Sequence, residues 1–330
     1  MSVARSSADL TNLRRELRRR YRRISGRSEA IITAGEELIR LSRTERKERT
    51  KIPQDVAMWL LLYDEFLAWL MFLWGIYLEM IEGPAEHASR DQQVCCAVLT
   101  GRIFQDSLAV REIIVGGHDV AAKCVSRVVA ETIDVLSLVH LDRQAAKLFR
   151  NVANNDQANS FWHKFCSRGK IDKKIREQWR RITISVQAAE KYASWRTDYT
   201  NLIGMSIHPS FPAALAGVLD SNNVYDNDSV IKNGFGYVSH MSRFTMHFIM
   251  KRVYEFGLLF VPEYFTEMND LCDWKALKDK VAQTHVQEGL KTLSCIMSEI
   301  EKPERQRVYF PEIPTYWIPK FHAKTSPRQT

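Results

Sequence analysis

Glycine and proline are scarce in this chain, at 14 and 10 of 330 residues, and five of those prolines fall after residue 302. That scarcity excludes a collagen-like or Pro/Gly-rich disordered chain and leaves long stretches free of helix breakers. The six cysteines (Cys95, Cys96, Cys124, Cys166, Cys272, Cys295) form no C-x-x-C pair and no secretory signal precedes them. Neither a disulfide framework nor a zinc site is suggested, and buried thiols in a reducing cytoplasm are expected. An uninterrupted apolar run of bilayer length is also missing. The most apolar stretch, Val56 to Ile81, carries Asp64 and Glu65 in its first half, so no integral membrane span is expected. A helix apolar all round is otherwise a core helix or a subunit interface. Its aromatic residues Trp59, Tyr63, Trp69, Trp74 and Tyr77 leave peripheral membrane contact open.

What is present is 45% hydrophobic content and a recurrence of Leu, Ala, Arg, Glu and Lys, an all-α composition able to bury a sizeable core. The net charge of +8 has one source. Residues 1–51 hold 15 Lys plus Arg against 7 Asp plus Glu, and the remainder is balanced at 32 against 32. Within that arm Arg14, Arg15, Arg18, Arg19, Arg20, Arg22 and Arg23 interrupt an apolar heptad of Leu10, Leu13, Leu17, Ile24, Ile31, Ala34, Leu38 and Leu41. The spacing predicts one or two amphipathic helices with a break near Ser25-Gly26. Such a helix is either a solvated face packed on a body or sister subunit, or an arm whose Arg14, Arg15, Arg18, Arg19, Arg22 and Arg23 hold nucleic-acid phosphates. Three divisions follow: a basic amphipathic arm over 1–52, a helical core over 53–302, and an extended Pro/aromatic tail over 303–330.

Inside the core, Asp91 to Asn151 predicts an αα-hairpin turning at Gly116-Gly117. Arg127 and Glu131 stand at i and i+4 on its second helix, flanked by apolar residues, as a partly buried pair would. From Asn154 to Glu190 a basic stretch follows Phe161, Trp162 and Phe165. It reads either as a long surface helix with an aromatic anchor or as a base-stacking and phosphate-holding segment. Tyr199 to Ser210, Y-T-N-L-I-G-M-S-I-H-P-S, is an apolar helical run that ends by presenting His208, since Pro209 disfavours helix at the residue before it. The loop Asp220 to Asp228 lacks the alternation of a calcium loop. A last long helix from about Tyr237 to Leu259 aligns His240, Arg243, His247 and Lys251 on one stripe, which reads as a solvated polar face, a phosphate site or, more weakly, a metal site.

The R-x-x-x-E of Arg127 and Glu131, followed by Y-x-x-L-I-G-M-S-I-H-P-S, resembles an uncharacterised bacterial all-helical family. That family pairs an R-S-L-x-E helix with one ending Y-x-x-L-S-x-x-V-H-P-S and is placed near the HEPN superfamily. The resemblance spans about residues 91 to 215. It puts Gly204 where the family has serine, with Ser206 two residues before His208, and Arg196 twelve positions before it. It implies a HEPN-like helical bundle, a homodimer, and a metal-independent ribonuclease of toxin–antitoxin or phage-defence type, requiring no cofactor or metal. Its site would be His208 as base, Arg127 holding phosphate, Glu131 orienting the guanidinium, and Tyr199 or Ser206 donating a hydrogen bond. The alternative is a non-catalytic helical protein that binds nucleic acid or a protein partner through its arm, with Arg127, Glu131 and His208 in a structural polar network.

Overall fold

A computed structural model describes residues 54–83, 90–167, 169–182, 186–205, 242–260 and 278–301, all helices, turns and short connections with no strand among them. The described elements are α1 (Gln54–Glu82), α2 (Arg90–Val115), α3 (Asp119–Leu141), α4 (Arg143–Arg150), α5 (Asn155–Phe165), α6 (Lys170–Ile182), α7 (Val186–Met205), α8 (Ser242–Gly257, prolonged by a 3₁₀ turn Leu258–Phe260) and α9 (Lys280–Ile300). The fold is an all-α bundle, as the composition implies. The arm over 1–52, the acidic loop, His240, and the tail over 303–330 lie outside the described residues.

The hairpin turns where glycine permits it. Gly117 adopts φ +78, His118 N–H donates to Ile113 C=O and Gly117 N–H to Ile114 C=O, which is a Schellman closure with glycine in the left-handed position. Asp142 then ends α3 and starts α4, its side chain accepting from Ala145 N–H at 2.9 Å. The basic segment is not one long helix. It divides into α5, α6 and the start of α7, with α5 and α6 separated around Gly169 at φ +71. One more helix follows α8: in α9, Ala282, Val286, Leu290, Leu293, Met297 and Ile300 recur every three or four residues and are all buried.

Within the bundle α1 packs on α2, α8 and α9, while α3 packs on α2, α7 and α8. By length and composition α1 could cross a bilayer, yet half of its apolar window is buried inside the protein. Trp59, Tyr63, Phe66, Trp69, Leu70, Leu73, Ile76 and Tyr77 form its core-facing side, and Trp69 Nε1 donates to Val286 C=O of α9 at 3.0 Å. Met58, Leu61, Met71 and Leu78 remain exposed on the other side. Glycine sets the closest approach to α2, since a Cβ on Gly101 would lie 2.8 Å from the Trp74 indole.

Candidate functional site

Arg127, Glu131 and Asp134 stand at i, i+4 and i+7 on α3, one continuous stripe. It opens onto a cleft of about 300 Å³ walled by α3, α5, α6, α7 and α8. At the floor, Asp134 accepts from Arg196 Nη2 of α7 at 2.5 Å and is bonded to Arg252 Nη2 of α8. Arg196 Nε also reaches Asp172 Oδ1 of α6 at 3.1 Å, and Arg252 Nη1 reaches Glu255 Oε2 at 2.7 Å. These groups tie four helices together, and Arg196, Arg252, Asp134 and Glu255 are buried. Ions removed from water at this depth persist only when mutually paired and hydrogen-bonded.

At the mouth the chemistry differs. Arg127 Nε donates to Glu131 Oε1 at 2.9 Å, with side chains 33% and 46% exposed. The pair is therefore partly buried, as its apolar flanks imply, and half open to water. The carboxylate takes the Nε edge, so the Nη edge of the guanidinium has no acceptor among the described residues. It faces the last turn of α7: a Cβ on Gly204 would sit 3.4 Å from Arg127 Nη1. His208 comes three residues after Met205, the end of α7, and lies outside the described residues together with Ser206, Pro209 and Ser210.

Tyr199 lies elsewhere on α7. Its ring stacks on Phe248 with an interplanar angle of 11° and tilts against Trp195, and its hydroxyl stands 3.4 Å from His247 Nδ1. Burial pushes the phenol up to about 12, which keeps it neutral. His247, Lys251 and Glu301 complete this second cluster. The stripe on α8 is consequently no solvated face: Arg243 and His247 are buried, and Lys251 Nζ lies 4.1 Å over the Trp195 ring while pairing with Glu301. Burial opposes the Glu301 charge, but contact with His247 and the Lys251 ammonium prevails and lowers its carboxyl to about 2. His247 Nε2 stands 3.6 Å from Glu301 Oε1, a polar contact longer than a full hydrogen bond. Burial lowers the pKa of His247 in turn.

The thiols are not uniformly buried. Cys95, Cys96 and Cys166 are, Cys124 is intermediate and Cys295 is exposed. Burial raises the Cys95 and Cys166 thiols to about 11, so neither is a ready nucleophile at neutral pH.

Sequence reasoning missed Asp134 and Arg252 of the cleft, named Trp162 only within the aromatic group that opens the basic segment, and named Arg196 only by its spacing from His208. Asp134 was the most findable, one turn beyond Glu131 on the same stripe. Nothing local ties Arg196 and Arg252 to this stripe, because Asp134, the carboxylate they share, is 62 and 118 residues away. No protein-family model, curated protein or solved structure matches this chain.

Proposed function

We propose that the protein is a HEPN-like ribonuclease of toxin or phage-defence type, cleaving a phosphodiester at the mouth of this cleft. One observation carries the reading: Glu131 fixes Arg127 through Nε and leaves the Nη edge open beside the helix that leads into His208-Pro209. Two parallel N–H groups match two non-bridging phosphate oxygens. Three residues of chain span at most about 10 Å, so His208 is tethered to the same end of α7. In the reaction His208 removes the 2′-hydroxyl proton, the freed oxygen attacks phosphorus, the bond to the 5′-oxygen breaks with that oxygen taking a proton from water, and the imidazolium returns its proton to solvent, giving a 2′,3′-cyclic phosphate and a 5′-hydroxyl. Arg127 stabilises the charge that builds on the phosphoryl oxygens. Tyr199 is too far committed to the α8 side to be given a role in this step.

The test is cleavage of single-stranded RNA by the full chain, with and without a chelator. Cleavage that survives chelation and falls about 100-fold or more in both His208→Ala and Arg127→Ala supports the reading. No cleavage by the wild type overturns it. A second reading rests on a different observation: Arg127, Arg196 and Arg252 are matched in the cleft by Glu131, Asp134 and Asp172. That balance favours a structural network in a non-catalytic interaction protein. RNA binding without cleavage is its expected result.

A further inference from the structure

The aromatic trio that opens the basic segment is divided by the fold. Phe161 and Phe165 turn inward and are buried, whereas Trp162 stands 42% exposed on the wall of the cleft. Its indole makes no hydrogen bond and no ring contact among the described residues. A large flat side chain left open in a concave site loses hydration if something flat covers it. From α7, Asn201 lines the same cleft, exposed and with its carboxamide unengaged among the described residues, so it offers both a donor and an acceptor.

The helix that supplies Ile171 and Asp172 to this cleft carries a different face outward. Lys173, Arg176 and Arg180 of α6 fall at i, i+3 and i+7, all exposed, and none is paired with a carboxylate among the described residues. They share one stripe about 10 Å long. The neighbouring cations are in use: Lys174 pairs with Asp142 at 2.8 Å, and Lys170 Nζ donates to His163 C=O at 2.7 Å. The open cations thus run along the same helix that walls the cleft.

We propose that the cleft receives one unstacked nucleotide of single-stranded RNA, its base on the Trp162 ring with its edge on Asn201, and that the adjoining phosphates follow Lys173, Arg176 and Arg180. The choice of RNA over other single strands rests on the ribonuclease reading; the base platform and the cationic stripe do not. Stacking on an aromatic side chain is tolerant of sequence, whereas a carboxamide at the base edge is selective. Trp162 therefore supplies affinity and Asn201 supplies preference among bases.

The experiment uses the full chain and a fluorescein-labelled 2′-O-methyl oligouridine 12-mer, which lacks the attacking hydroxyl and reports binding alone. Trp162→Ala is expected to weaken binding at least 5-fold, and Trp162→Phe, which keeps a ring, to remain within about 3-fold of wild type. Replacing Lys173, Arg176 and Arg180 together by Gln is expected to reduce the slope of log K against log salt by about 2. Because residues 1–52 carry arginines of their own, a 4-thiouridine probe is crosslinked in parallel, with adducts expected on the peptide that contains Trp162. Wild-type affinity in Trp162→Ala, or adducts confined to residues 1–52, overturns the subsite. The two readings separate cleanly. Adducts at Trp162 with unmodified RNA left intact remove the ribonuclease and keep the subsite; RNA cleaved equally well by wild type and Trp162→Ala does the reverse.

Discussion

Arg127 and Asp134 are two turns apart on one helix, yet their side chains live in different media, and substitution should expose the difference. Removing Asp134 leaves Arg196 and Arg252 without the carboxylate they share. Asp134→Ala is therefore expected to cost about 3–5 kcal/mol, the usual result of stranding buried charge. Arg127→Ala breaks a pair already wetted by solvent and should cost under about 1 kcal/mol. Urea melts of both variants decide this, and equal losses would mean that the mouth is as dry as the floor. The contrast also marks how far the sequence could be read. The i, i+4 spacing identifies Arg127 and Glu131 as neighbours, but half-exposure follows from where α5, α6 and α7 leave the cleft open, which no spacing on α3 encodes. The apolar flanks of the pair signal its partial burial, while the full burial falls to Asp134, Arg196 and Arg252. Tyr199 shares its helix with Arg196 but follows Trp195 at i+4, and those two rings together meet His247 and Phe248 of α8.

At the scale of elements, the glycines of the bundle separate into two kinds that sequence alone treats alike. Gly75 sits in mid-α1 with nothing within 4 Å of a built Cβ, whereas the same atom on Gly101 of α2 would strike Trp74. Gly75→Ala is expected to stabilise by up to about 1 kcal/mol through helix propensity alone. Gly101→Ala gains the same propensity but forces α1 and α2 apart, for a net loss of about 1–2 kcal/mol. Thermal melts should move in opposite directions; a stabilised Gly101→Ala would show that the indole swings aside freely. Helix identity was legible because glycine and proline are so few. The hairpin turn at Gly116-Gly117 and the apolar core of α1 follow directly from residue type. Less legible was the division of the basic segment into α5 and α6, since Gly169 is a lone glycine among good helix formers and its left-handed φ depends on how the two helices dock. The pattern of α9 is regular enough to have been read, but its packing depends on Trp69 and Phe72 arriving from a helix more than 200 residues earlier in the chain.

For the molecule as a whole, the described helices converge on histidines that cannot carry charge. His140 of α3 is enclosed by Tyr77 of α1, Cys96 of α2, and Phe256 and Phe260 at the end of α8. Its Nδ1 lies 3.0 Å from the Tyr77 hydroxyl, and its Nε2 finds no hydrogen-bond partner among the described residues. Burial lowers its pKa from 6.5 to about 3, and His247 is lowered by burial as well. The unfolded chain takes up these protons below pH 6.5 while the folded protein refuses them. Stability is therefore complete above pH 6.5 and declines as pH falls towards 3, with a slope of at most about 1.4 kcal/mol per pH unit for each histidine. Glu301 acts lower on the scale. Its carboxyl is depressed from 4.5 to about 2, so its contribution holds above pH 4.5 and is lost as pH falls through that interval. Between pH 6.5 and 5 the histidines act before the carboxylates do. Urea midpoints at pH 7, 6 and 5 should fall steeply for the wild type and less steeply for His140→Asn. They should be nearly level for His140→Asn with His247→Asn, whatever either substitution costs at pH 7. Parallel slopes in all three proteins would show that the two imidazoles protonate inside the bundle without opening it, and that its helices are less tightly sealed around α1 and α3 than their packing indicates.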